Sequence, residues 1–422
     1  MVGRTDVSMG ADLELRELDH GFKLAVERMP GVESCGLTWL LPVGAAGDPD
    51  GAAGEGASTL LAEYLLRGAG EMDSRAHSDA LDLLGVQRRT GASSQHLMIT
   101  ATLLSRNLER ALPLIAGMVT APRLDAAHLE AVRSLALQAL EGLDDEPQHL
   151  AMVRLVEHHL PAPWNRSGYG HAEGLKALTP ASLRAEWSRR ARPGGSILAV
   201  AGAVDAAAVE ACVRPLLRGW SGACAEPVQA APPRYGTHHE EAESAQSHLA
   251  MGLWAPEERR PEAVLHRLAV RILGGESSSR LFTEVREKRG LCYSVGASVS
   301  QGRDRGMTTI YAGSTPERAG TTLAQIRTEL DRFGEGITRH EFDRAMVGYR
   351  SRLVMQGESA SARAAAIATD VHRLGRPRSL HELAAEAAGV TFEGVDSYVR
   401  GALRECWQRD RTLVVVGPQP LE

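Results

Sequence analysis

Two adjacent histidine pairs, His158-His159 and His238-His239, and the triple serine Ser277-Ser278-Ser279 are residue types that could do chemistry in this 422-residue chain. Imidazole can ligate a metal or carry a proton, and a serine hydroxyl beside a histidine can serve as a nucleophile. Spacing counts against each of them. Neighbours on a helix or strand point apart, so an adjacent pair cannot close on one ion by itself. The first pair lies at a helix end ahead of Pro161, where the dipole welcomes an imidazole, and the second reads as solvated linker. The serines have no His–Asp partner nearby in sequence, and "GGESSSR" lacks the G-K-[ST] ending of a phosphate loop. The five cysteines, Cys35, Cys212, Cys224, Cys292 and Cys406, are odd in number and scattered. They make a poor disulfide framework and a poor zinc site, and they fit a reducing compartment.

Composition narrows the classes further. With 43% apolar residues the chain can bury ample core, and its length allows two to four domains. A net charge of −6 without a basic block, together with 4% aromatic residues, argues against nucleic acid as a partner. No run of 18 apolar residues occurs, so no membrane span is expected. The opening residues "MVGRTDVSMGADLELREL" lack the apolar core of a signal peptide, and a cytoplasmic location is the expectation.

The elements that must position any site are written twice. "LTWLLPVGAAG" and "MGLWAPEE" share an outline, with Pro42 and Pro256 lying 214 positions apart. Thr179 and Thr391, each a helix N-cap by type, are 212 apart. The apolar runs "SILAVAG" and "TLVVVG" end at Gly202 and Gly417, 215 apart, and read as buried strands. Long helical stretches begin at Asp125 and at Thr338, the latter spaced with Glu341 as a capping box. Strands and helices are grouped, not alternating, which predicts an α+β fold of two related domains, each a largely antiparallel sheet packed with helices. The expected division is 1–224, a Pro- and Ala-rich linker at 225–236, and 237–422.

Two stretches carry a family resemblance. "GASTLLAEYLLRGA" resembles the frame that holds the inverted zinc motif H-x-x-E-H in the pitrilysin and mitochondrial-processing-peptidase family of insulinase-like metallopeptidases. On a helix, positions i and i+4 share a face, so two imidazoles reach one metal while the Glu between them activates water. Aligned on Arg67-Gly68, the two His positions are Thr59 and Glu63, and the catalytic Glu position is Ala62. The third ligand position, on the helix ahead of an acidic-Pro turn, is Ala139, flanked by Gln138 and Glu141. One carboxylate cannot replace three ligands, and alanine accepts no proton. Read from its residues alone, the stretch is an amphipathic helix with Leu61, Tyr64 and Leu65 toward a core.

"LGGESSSRLFTEVREKRGLCYSV" resembles the second-domain signature of the same family. Read from its residues, Gly274 and Gly275 permit a tight turn, and serines such as Ser277 and Ser278 can cap a helix. That helix ends at Gly290, and "LCYSVGASVS" alternates as a half-buried strand. The resemblance implies that Arg286 and Tyr293 face a zinc site, the guanidinium holding a peptide carbonyl or carboxylate and the phenol donating to an oxyanion. Without the family frame, the same two residues read as a surface arginine and a core tyrosine.

Loss of one half of a composite site and retention of the other implies a non-catalytic subunit of a heterodimeric zinc peptidase. Such a subunit binds no cofactor itself, has a homologous zinc-bearing partner, and acts on peptides or unfolded polypeptides. A scaffold subunit without a peptidase role, and a homodimeric peptide-binding protein, are the alternatives.

Overall fold

The computed structural model describes residues 7–8, 12–51, 54–408 and 411–421. Its strands are β1 (Val7–Ser8), β2 (Leu13–Glu17), β3 (Lys23–Arg28), β4 (Ser34–Leu41), β5 (Gly68–Ala69), β6 (Met72–Asp73), β7 (Gln87–Ala92), β8 (Leu97–Leu104) and β9 (Ile197–Gly202). They continue with β10 (Gly236–Glu241), β11 (Ser247–Ala255), β12 (Ser294–Gln301), β13 (Gly306–Ser314) and β14 (Thr412–Gly417). One seven-stranded sheet runs β1-β2-β3-β9-β4-β8-β7, and a five-stranded sheet runs β10-β14-β11-β13-β12. The side-chain pattern accounts for the layers. β8 buries Leu97, Ile99, Ala101 and Leu103 on one face, the period of a half-covered strand. β9 and β14 are buried along their whole length, as continuous apolar runs require.

Both sheets have the same wiring. β3 lies parallel to β9, and β10 lies parallel to β14. β4 and β11 then pair antiparallel with those central strands, followed by antiparallel β8 and β7 in one sheet and β13 and β12 in the other. Leu37 faces Val200 in the first sheet, and Leu249 faces Val415 in the second. The strands ending at Gly202 and Gly417 therefore hold equivalent places. Thr179 and Thr391 cap their helices through the N–H groups of Ser182 and Gly394, and Thr338 and Glu341 form the capping box. Asp125 departs from expectation: its carboxylate turns to Arg123, and the helix start goes without a side-chain cap.

The compact units are not the two continuous stretches 1–224 and 237–422. One unit gathers Met1–Glu141, Ala162–Ala230 and Met355–Ser379, and the other Gly142–Pro161, Ala231–Val354 and Leu380–Glu422. Each unit thus takes a helix from the other half of the chain. The Pro147–His159 helix packs on β14 and β11, while the Ala360–Leu374 helix packs on β9, β4 and β3. Small residues make the second docking possible: Ala364, Ile367, Ala368 and Val371 meet Ala25, Leu40, Ala199 and Ala201 in a separate core cluster. A Cβ on Gly36 would stand 2.4 Å from the Ser361 Cα, and one on Gly252 would stand 2.8 Å from the His159 ring. Within the first unit, Arg363 reaches Glu27 through two bonds, Nε to Oε2 at 2.6 Å and Nη2 to Oε1 at 3.0 Å. Among the described residues no helix is long and apolar enough to cross a membrane.

Candidate functional site

The degenerate zinc stretch is a real helix, Ala57–Tyr64, fixed from outside itself. Asp48 accepts from Gly56 N at 3.0 Å, Ser58 N at 3.1 Å and Ser58 Oγ at 3.0 Å, so one upstream carboxylate satisfies the first orphan donors of the helix. Arg190 donates to the same carboxylate at 2.6 Å, and both side chains are 1% exposed. Gly56, with φ 109°, supplies a left-handed N-cap that a side chain would resist. Leu60, Leu61, Tyr64 and Leu65 are fully buried, the core face expected from the sequence.

The ligand positions are engaged otherwise. Thr59 Oγ1 donates to the Gly168 carbonyl at 2.8 Å, and Glu63 holds Arg67 at 2.5 Å one turn on. Ala62 is buried, and Ala139 is exposed on the Leu129–Glu141 helix, which packs against the first. A hydroxyl already donating, a carboxylate already paired and two methyl groups do not fit zinc. Among the described residues no three His, Cys, Asp or Glu side chains group as a metal site.

The Gly/Ser stretch differs from its sequence reading in two ways. Gly274 ends the Ala263–Gly274 helix and Gly275 has φ −82°, so neither uses the left-handed region. Their need is space: a Cβ on Gly274 would stand 2.4 Å from Ala297 N on β12. The serines do not cap the following helix either, which is a π-helical segment, Phe282–Glu287, closed by Lys288 N to Thr283 O at 3.0 Å. π segments often occur at functional sites. Gly290 ends it with φ 60°, as expected.

Beyond Gly290 the backbone is tied down while the Tyr293 side chain is left out. Arg318 donates to the Gly290 carbonyl at 2.7 Å, Thr322 donates to Leu291 O at 3.0 Å, and Tyr293 N donates to Gly313 O at 2.8 Å. Tyr293 is nonetheless 61% exposed, beside the edge strand β12, and is no core residue. Arg286 is exposed too, with its guanidinium 4.6 Å from the centre of the Phe282 ring. Burial pushes the Cys292 thiol up to about 11, and the charge of Arg286 opposes that rise, which puts the guanidinium within electrostatic reach of the residue before Tyr293. These anchoring contacts carried no sequence signal.

Nor did the meeting of the two histidine pairs. His238 belongs to β10, not to a solvated linker, and its ring stacks on His158 at 3.6 Å with an interplanar angle of 2°. His159 Nδ1 and Thr412 Oγ1 lie 3.0 Å apart. Burial, then the charges of His238, Arg234 and Arg154, lower the His158 pKa to about 4 against the pull of Glu240. The unfolded chain binds this proton near 6.5, so folded stability is full above that pH and falls as pH drops toward 4. Urea midpoints measured across this window are expected to decline, and His158→Gln should flatten the decline. An unchanged slope in that variant would remove His158 from the account.

Comparison with known proteins adds the following. Residues 23–167 match the family described as Insulinase (Peptidase family M16), and residues 177–348 match that described as Peptidase M16 inactive domain. An uncharacterized zinc protease of Mycobacterium tuberculosis is 29% identical, with 95% of this chain and 92% of that protein covered. One from Streptomyces coelicolor is 28% identical over 95% and 88% of the two chains. A crystal structure of a peptidase M16 inactive domain from Pseudomonas fluorescens superposes with a TM-score of 0.85 at 22% identity, covering 97% of this chain and 99% of that one. A protease from Helicobacter pylori gives the same score and coverage at 17% identity, and at these identities the likeness is one of fold.

Proposed function

Because the chain belongs to the M16 insulinase family of peptidases, we propose that it is the non-catalytic subunit of a heterodimeric zinc peptidase. Its partner is a homologous zinc-bearing chain, and its substrate is a peptide or unfolded polypeptide. Thr59, Ala62, Glu63 and Ala139 give this chain neither ligands nor a general base, so it does not hydrolyse peptides alone. The observation that carries the reading is Tyr293: a large aromatic side chain left 61% exposed on a backbone fixed at both ends, with Arg286 exposed on the preceding segment. An exposed, pre-positioned phenol suits donation to a tetrahedral oxyanion, and the guanidinium suits a peptide carbonyl or carboxylate.

The test uses the assembled complex, with size-exclusion chromatography to confirm assembly. Tyr293→Phe is expected to lower turnover of an unstructured peptide on the order of a hundredfold, the typical cost of one oxyanion donor. Because the phenol acts in the transition state, kcat should fall more than KM rises. Arg286→Ala should also raise KM. Unchanged kinetics for Tyr293→Phe in an intact complex would leave the chain as a scaffold subunit.

A further inference from the structure

Residues 290–293 belong to no helix or strand, yet they present the tyrosine on which the proposed function rests. Tyr293 is 61% exposed, and its side chain has no hydrogen-bond or ring partner among the described residues. Packing around the phenol therefore does not fix where it points. Its placement has to come from the backbone that carries it, and an irregular segment has no ladder of its own. The bonds are supplied from outside. The π segment accepts from Gly290 N through Arg286 O at 2.9 Å and from Leu291 N through Val285 O at 3.1 Å. Gly313 O on β13 accepts from Tyr293 N at 2.8 Å. The carbonyls of Gly290 and Leu291 are held by side chains, those of Arg318 at 2.7 Å and Thr322 at 3.0 Å.

These two side chains stand four residues apart on the Pro316–Phe333 helix, so they share one face of it. They are not equivalent. Arg318 is exposed, and water can replace its bond. Thr322 is 0% exposed, where no water competes. Its hydroxyl lies 3.0 Å from Leu291 O, 2.9 Å from Arg318 O in its own helix and 3.2 Å from Ser314 Oγ. A helical threonine can satisfy itself on the carbonyl one turn back, so the helix has no need of the distant acceptor. The branched side chain has few χ1 choices in a helix, which keeps the hydroxyl against the Leu291 carbonyl.

We infer that Thr322 is a positioning residue for Tyr293, fixing through the Leu291 carbonyl the backbone that aims the phenol. The inference rests on the reading of Tyr293 as an oxyanion donor at a partner's zinc. Such a donor acts over a window of roughly 2.7–3.1 Å. A misplacement of about 1 Å costs on the order of a hundredfold in rate. If the Leu291 carbonyl is let go, the peptide after it can turn, and the phenol moves at the end of the lever.

The kinetic test uses the assembled complex and an unstructured peptide. Thr322→Val keeps the shape and removes the hydroxyl; it is expected to lower kcat about tenfold, with KM within about twofold of the parent. Thr322→Ser restores the hydroxyl and should recover most of that loss. Arg318→Ala should cost about threefold or less, because its bond is open to water. Adding Thr322→Val to Tyr293→Phe should cost nothing further, since the group it positions is gone. On the chain alone, amide exchange at Tyr293 should rise about tenfold in Thr322→Val while Ile310 on β13 stays unchanged. Circular dichroism confirms the fold of each variant. A slow Tyr293→Phe beside a Thr322→Val with parent kinetics would overturn this inference and leave the subunit reading standing. Parent kinetics for Tyr293→Phe itself would remove both. A further loss on adding Thr322→Val to Tyr293→Phe, or exchange rising evenly over β13, would make Thr322 a general core contact and end the positioning role.

Discussion

Arg363→Ala is expected to cost about 3–5 kcal/mol of stability, the loss typical when one partner of a buried ion pair is removed. Arg363 is 1% exposed, and its two bonds to Glu27 are joined by a third to the Arg378 carbonyl at 3.1 Å. Truncation leaves the Glu27 carboxylate, itself 7% exposed, without its counter-charge under the Ala360–Leu374 helix. Urea denaturation read by circular dichroism measures the loss, and hydrogen exchange shows where it falls: amides of that helix and of β3 should exchange first. Replacing both partners, Glu27→Leu with Arg363→Met, should cost less than the single change, because no charge is left buried alone. A single variant as stable as the parent would mean that apolar packing holds the helix unaided.

Asp48→Ala should be of similar size, about 3–5 kcal/mol, and should act on a different element. Here the group left behind is Arg190, which keeps only the Gly44 carbonyl and Glu186 at 3.8 Å, and the Ala57–Tyr64 helix loses at the same time the acceptor for its first N–H groups. Asp48→Asn keeps the shape and an acceptor oxygen, so it should recover part of the loss. The readout that separates capping from packing is exchange at Gly56 and Ser58, which should rise well beyond that of β4 in the alanine variant. If the whole unit loosens uniformly, Asp48 is a general core contact and not the fastening of this helix.

The fold was legible where its cause was local and repeated. The paired landmarks at Gly202 and Gly417 and at Thr179 and Thr391 arise from strand burial and helix capping, which act over a few residues and leave a pattern. That Thr59 and Glu63 share one helix face was legible for the same reason, since i and i+4 spacing is a property of one helix. What escaped depends on groups far apart in the chain. Arg363 and Glu27 are 336 residues apart, Asp48 and Arg190 are 142 apart, and the partner that stacks on His158 lies beyond the linker. Glycine by type permits a turn at Gly274 and Gly275, whereas Gly274 answers a strand that passes too close for any Cβ. Composition cannot separate those two uses of the same residue.

The exchanged helices bear on whether either half could stand alone. If a single half were made alone, its sheet would present an open trough where the borrowed helix belongs, and its own helix would have nowhere to lie. Two copies of such a half could cover each other's sheets by trading helices, as the two halves of this chain do. Joining the copies end to end replaces a concentration-dependent encounter by a tethered one, with an effective concentration set by the connecting segment. Held in one chain, each half can change without losing the helix the other supplies.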